Sequence, residues 1–222
     1  MSGASPSRGR PRMSRPLLAV LTGDIVRSSR LETPDLDAAM AALDEGAMAM
    51  AAWPGAGPPR FERFRGDGWQ CLAPAPHLAL RAALFLRAHL ARLQVETRIA
   101  VGIGAGDLPA GTGLAAASGA AFEASGRGLD TMPAAAQLAI DWEEAPPDAA
   151  LTGAVFALTD ALSRRWTSAQ AEALIVTLAP GSAAQHAIGA QAGVSQQAIA
   201  KRLRGAGDWA LQRALAALEG SP

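Results

Sequence analysis

The 222-residue sequence predicts an α+β protein: a mostly antiparallel sheet with helices on one side, followed by an all-helical segment. Three observations predict it. Two apolar-bearing runs around Gly66-Asp67-Gly68, within 60–72, have the form of a β-hairpin. Strand-like and helix-like periods alternate as β-α-ββ-α-β-α-β. From Asp148 onward only the helical period persists.

The first strand is the apolar run Leu17–Leu21, ending in Thr22-Gly23-Asp24, and 25–31 is a turn carrying Arg27 and Arg30. Thr33 is the expected N-cap of a helix running to about Ala52, with Pro34 at its first position and Asp35 and Asp37 in its first turn. Leu36, Met40, Leu43 and Ala47 form its apolar stripe. The hairpin follows, its glycines giving the backbone freedom and displaying Asp67 at the tip. An amphipathic helix is expected over 77–93, burying Leu78, Ala82, Phe85, Leu86, His89 or Leu90, and Leu93. Thr97–Gly104 is a strand whose Gly102 and Gly104 predict close packing above it. A small-residue helix over 116–128 and a strand over 135–142 complete this part. The polar, proline-containing 143–148 is the expected boundary between a domain over 17–147 and a helical one over 148–222. Helices are expected there at 150–165, 168–178, 183–191, 195–204 and 208–218.

Composition narrows the function classes. Residues 1–16 carry four arginines and no acid, which predicts a disordered basic tail rather than a signal peptide, and leaves −4 on the rest of a neutral chain. The single cysteine, Cys71, excludes an internal disulfide and fits a reducing cytoplasm. No apolar stretch is long enough to span a membrane. The three histidines share no ligand spacing, so a zinc site is not expected, and Cys71 is expected to be a packed thiol. Asp24 and Asp67, each at a strand end, are the candidate ligands for Mg²⁺ or Mn²⁺ held against phosphates. The plainer alternative is that each is a turn residue, a role aspartate fills well.

LTGDIV, FERFRGDGW, RIAVGIGAG and the spacing Gly119-x-x-Phe122-Glu123-x-Ser125-x-Arg127 together resemble the catalytic domain of class III nucleotide cyclases, a palm-type, ferredoxin-like fold, over about 17–142. The resemblance implies that Asp24 and Asp67 carry metal ions, that Ile25, Val26, Arg27 and Ser28 cradle phosphates beside Gly66, and that Arg127 faces charge on a transferring phosphoryl group. It also implies that the family's base-reading pair is replaced by Arg63 and Ala116, and its asparagine by Glu123. TGDIV-x-S-S, F-x-RGDGWQ, GIG, AF-x-x-SGR-x-LD and the C-terminal helices are similar, over nearly the whole chain, to bacterial SatD-like proteins, small proteins often treated as regulators.

Residues 185–203, QHAIGAQAGVSQQAIAKRL, fit a helix-turn-helix. Ile188, Ala192, Val194 and Ile199 are its apolar positions, Gly189 the crossing point and Gly193 the turn. Ser195 would cap the second helix, Gln196 and Gln197 would meet base edges, and Lys201, Arg202 and Arg204 would reach phosphates. Residues 151–222 carry six basic and four acidic side chains, so useful DNA affinity calls for a homodimer. Trp166 and Trp209 are expected to anchor these helices in the core. Three functions follow: a DNA-binding regulator responding to a nucleotide or phosphorylated metabolite; a metal-dependent nucleotidyl cyclase or transferase using Asp24, Asp67 and Arg127; and a dimerisation scaffold.

Overall fold

The computed structural model describes residues 15–64, 66–109, 111, 113–181 and 195–220. Five strands form one mixed sheet in the order β2-β3-β1-β4-β5. These are β1 (Leu17–Ile25), β2 (Phe61–Phe64), β3 (Gly68–Leu72), β4 (Thr97–Ala105) and β5 (Leu138–Trp142). Every pairing is antiparallel except β4 with β5. Helices α1 (Thr33–Ala49), α2 (Ala79–Ala91) and α3 (Ala120–Asp130) interleave with the strands in the expected order. After β5 come α4 (Ala149–Ser163), α5 (Ser168–Leu178), α6 (Gln196–Ala206) and α7 (Asp208–Glu219).

Strand alternation sorts the sheet into two faces. Ala19, Leu21, Trp69, Cys71, Ile99 and Val101 join the main core with α1 and α2. Val20, Thr22, Ala100 and Gly102 point the other way, beneath α3. The helices therefore flank both faces, which corrects the expectation of helices on one side. The physical reason is Gly102. A methyl group there would overlap the Ala121 carbonyl oxygen and the Ser125 amide nitrogen, so a bare backbone admits α3 directly onto β4.

Helix α2 is buried around its whole circumference from Ala79 to Leu90, Arg81, Arg87 and His89 included. A helix enclosed in this way lies between layers rather than at a surface. It packs against the sheet, α1 and α5. The break over 143–148 is a loop, but one apolar core runs from Leu21 through Leu84 to Leu174, Ile199 and Leu211. The two halves share that core.

Several expected boundaries move. β1 continues to Ile25 rather than stopping at Leu21, because Gly23, Asp24 and Ile25 pair with Ile99, Arg98 and Thr97. Glu32 rather than Thr33 occupies the N-cap of α1, with no side-chain cap. β5 begins at Leu138, not residue 135. Leu93 is exposed instead of buried. The expected helix over 183–191 and the positions Ile188, Gly189, Ala192, Gly193 and Val194 lie outside the described residues.

Candidate functional site

Asp24 sits on the α3 face near the end of β1, half-buried, with Gly68 of β3 as its cross-strand partner on one side and Arg98 of β4 on the other. Asp67 immediately precedes Gly68, so the sheet register brings the two aspartates to one corner. Gly68 has no side chain of its own, and the Phe64 ring lies over it, 3.1 Å from where a methyl group would stand. Arg98 closes on Asp24 with a two-pronged contact: its Nε donates to Oδ1 at 2.9 Å and an Nη donates to Oδ2. Ser28 Oγ donates to Asp67. Hydrogen bonding to Asp24 raises the Arg98 guanidinium above its ordinary value, and the fields of Asp130 and Asp67 add to it. Asp24 is thus in contact with the guanidinium, and Asp130 and Asp67 act on it without touching it.

Beside this corner, Thr22 and Ser125 share a hydrogen bond of 2.7 Å, and Gln70 Nε2 donates to Thr22 at 3.1 Å. Thr97 lies at its base. The Thr97 hydroxyl donates to the Asp24 carbonyl at 2.6 Å, and the Trp69 indole donates to that hydroxyl at 3.3 Å.

The other expected phosphate and base residues are dispersed. Ile25 is buried in the ladder, and the Val26 amide donates to the Glu96 carbonyl, so neither offers an N–H to a phosphate. The expected four-residue cradle is therefore not formed as such: Arg27 has a left-handed backbone (φ 57°), and the Ser28 hydroxyl is engaged with Asp67. Arg63 alternates onto the opposite face, where it pairs with Asp37 of α1 at 2.7 Å and donates to the Gly66 carbonyl. Arg127 pairs with Asp141 of β5 at 3.1 Å, level with Gly102. Gly102 lies four residues along β4 from Arg98, roughly 13 Å at strand rise. Glu123 stands exposed one turn before Arg127. The register thus unites Asp24, Asp67 and Ser28 and leaves Arg63, Glu123 and Arg127 elsewhere. Sequence reasoning missed Arg98 and Asp130. The alternation Arg98-Ala100-Gly102 places Arg98 on the glycine face, which was readable, but its opposition to Asp24 depends on strand register.

Two carboxylates plus substrate phosphates are a common Mg²⁺ donor set. The arrangement here does not fit one. Both Asp24 oxygens accept from Arg98, and among the described residues no group of three His, Cys, Asp or Glu converges to hold a metal. Cys71 is buried, and burial, with Asp44 adding to it, pushes its thiol up to about 12, so it is a packing group.

The second candidate surface is α6. The Ser195 hydroxyl accepts from the Ala198 amide at 3.3 Å and caps the helix. Ile199, Leu203 and Ala206 are buried, whereas Gln196, Gln197, Lys201 and Arg204 are exposed. Arg202 is half-buried, 3.6 Å from Glu172. Lys201, Arg202 and Arg204 line a cleft of about 600 Å³ with Thr167, Gln170 and Gly205. Trp166 is buried and its indole donates to the Ala206 carbonyl at 3.1 Å, as a core anchor should. Trp209 is 77% exposed, with Arg213 6.0 Å from its ring, which corrects its expected core role. It lies about 200° around the helix from Leu211, opposite the buried Leu211–Leu215 stripe.

These features define an α+β protein with a five-stranded mixed sheet and a helical C-terminal third. No family model matches the chain, and no curated protein matches it. Among solved structures it is similar to the guanylyl cyclase Cya2, with 16% identity over 58% of this chain and 77% of that one and a TM-score of 0.40. At that level the likeness assigns no residue a role. Among the described residues no helix is long and apolar enough to cross a membrane.

Proposed function

We propose that the chain is a DNA-binding regulator in which α6 reads the major groove and the sheet half is the body that responds to a phosphorylated ligand. The observation that carries this reading is the outer face of α6. It presents Gln196 and Gln197 at the N-terminal end and Lys201 and Arg204 further along, with no acidic residue from 195 to 207. Amide side chains at the leading end of a helix suit bidentate contact with adenine, and cations behind them suit phosphates. The buried edge of α6 holds it to α5, which packs on α2, so the reading helix is mounted on the core rather than on a tether. The modest charge favours binding as a homodimer across two half-sites.

Fluorescence anisotropy with duplexes from the chain's own upstream region tests this at 50 and 200 mM salt. Saturable binding at the lower salt is expected, with a smaller salt slope in the Lys201→Ala, Arg204→Ala double variant. Undetectable binding at 50 mM salt, or binding indifferent to the double substitution, refutes it.

A second reading, metal-dependent nucleotidyl transfer, requires Arg98 to release Asp24 before Asp24 and Asp67 can hold an ion. Incubation with the four nucleoside triphosphates and Mn²⁺, read by mass spectrometry, decides it. A product absent from the Asp67→Ala variant supports the reading; no product excludes it.

A further inference from the structure

We infer that Arg98 is an internal counter-cation that takes the place a divalent cation would occupy beside Asp24 and Asp67, so that Mg²⁺ or Mn²⁺ binds this corner only by displacing the guanidinium. This stands independently of any role for α6.

The contact itself is the first ground. Arg98 offers the planar fork that matches a carboxylate, and both Asp24 oxygens are engaged. A small ion that demands near-octahedral oxygen ligands cannot share Asp24 with it. The second ground is charge. Asp24, Asp67 and Asp130 act on one arginine, so the corner holds a surplus of negative charge even with Arg98 in place. Such a corner attracts a cation. The third is mobility. The Arg98 side chain is 41% exposed, against 22% for Asp24, so it can leave into solvent without crossing the core. Gly68 adds no side chain of its own beside Asp24, the Phe64 ring being the group that lies over it. Once Arg98 departs, both Asp24 oxygens are released, with Asp67, whose field also reaches Arg98, held in place by Ser28 Oγ.

Arg98 therefore sets the cation affinity of the corner by competition. The arrangement also links occupancy to backbone contacts, because Thr97, one residue earlier, is bonded to Asp24 through its hydroxyl.

Mn²⁺ alone is the probe, its free concentration followed by electron paramagnetic resonance at low ionic strength. Wild type, Arg98→Gln and the double variant Asp24→Asn with Arg98→Gln are compared after thermal melting has shown each to be folded. Arg98→Gln is expected to bind Mn²⁺ at least tenfold more tightly than wild type, and the double variant is expected to lose that gain. Equal affinity in Arg98→Gln and wild type overturns the proposal, and so does a gain that survives loss of the Asp24 charge. Should Arg98→Gln fail to fold, Arg98→Lys replaces it. Lysine keeps the charge but cannot fork across both oxygens, so at least a twofold tightening is expected, and unchanged affinity overturns the proposal.

Discussion

His89 shows how a single side chain sets a pH limit on this fold. It lies inside α2 with neither ring nitrogen hydrogen-bonded among the described residues, its ring edge-on to Phe85 at 4.7 Å. Burial, reinforced by Arg92 and only partly opposed by Glu45, lowers its pKa to about 4. The unfolded chain takes up a proton near the ordinary histidine value, and the folded chain resists it. Stability is therefore constant above about pH 6.5 and is lost as pH falls toward 4, by roughly 2–3 kcal/mol for this one group. Urea midpoints measured from pH 7.5 to 4.5 should fall in wild type and fall less in His89→Leu. Equal slopes in the two proteins would refute the assignment. Helix periodicity placed His89 on or beside the buried stripe, so its burial was legible. The want of a hydrogen bond to its ring was not, because it depends on Gly46 and Phe85 packing against the ring.

At the scale of elements, the contact of α3 with β4 is the most demanding. Gly102 has an ordinary extended backbone, so its intolerance of a side chain is purely steric. Gly102→Ala is expected to cost about 3 kcal/mol or more by pushing α3 from the sheet. Gly126, on α3 with open space around it, gives the contrast: Gly126→Ala should stabilise by about 0.5–1 kcal/mol. Thermal melts of both variants check the pair, and similar shifts in the two would show that α3 does not bear on Gly102. The spacing Gly102-x-Gly104 announced this contact from the sequence alone. Which face α3 would take was not legible, since glycine permits approach without specifying direction. Trp209 is the reverse case: its offset from Leu211 was readable, but its size suggested core.

On the scale of the whole molecule, two buried arginines of α2 tie the sheet to the helical half. Arg87 donates to Asp160 at 2.7 Å and to the Gln137 carbonyl at 2.7 Å, and Arg81 pairs with Glu219 at 2.6 Å. Asp160 also accepts from the Gln137 amide. Asp160→Ala should therefore cost about 3–5 kcal/mol, because it strands a buried cation and an amide together. With one shared core, calorimetry should give a single transition; two separated transitions would show that the halves fold apart. The sequence revealed where the strands end and the helical run begins, but not this union. The partners of Arg81 and Arg87 lie 138 and 73 positions away, and an arginine inside an amphipathic pattern looks like a solvated one.

The pairing of Arg81 with Glu219 also orders events at the ribosome. Helix α2 is made early, yet the carboxylate that neutralises Arg81 belongs to the last described helix. Until residue 219 leaves the exit tunnel, the nascent chain carries a central helix with one flank bare and one cation unmatched. Chains stalled before that point are the natural prey of proteases and chaperones.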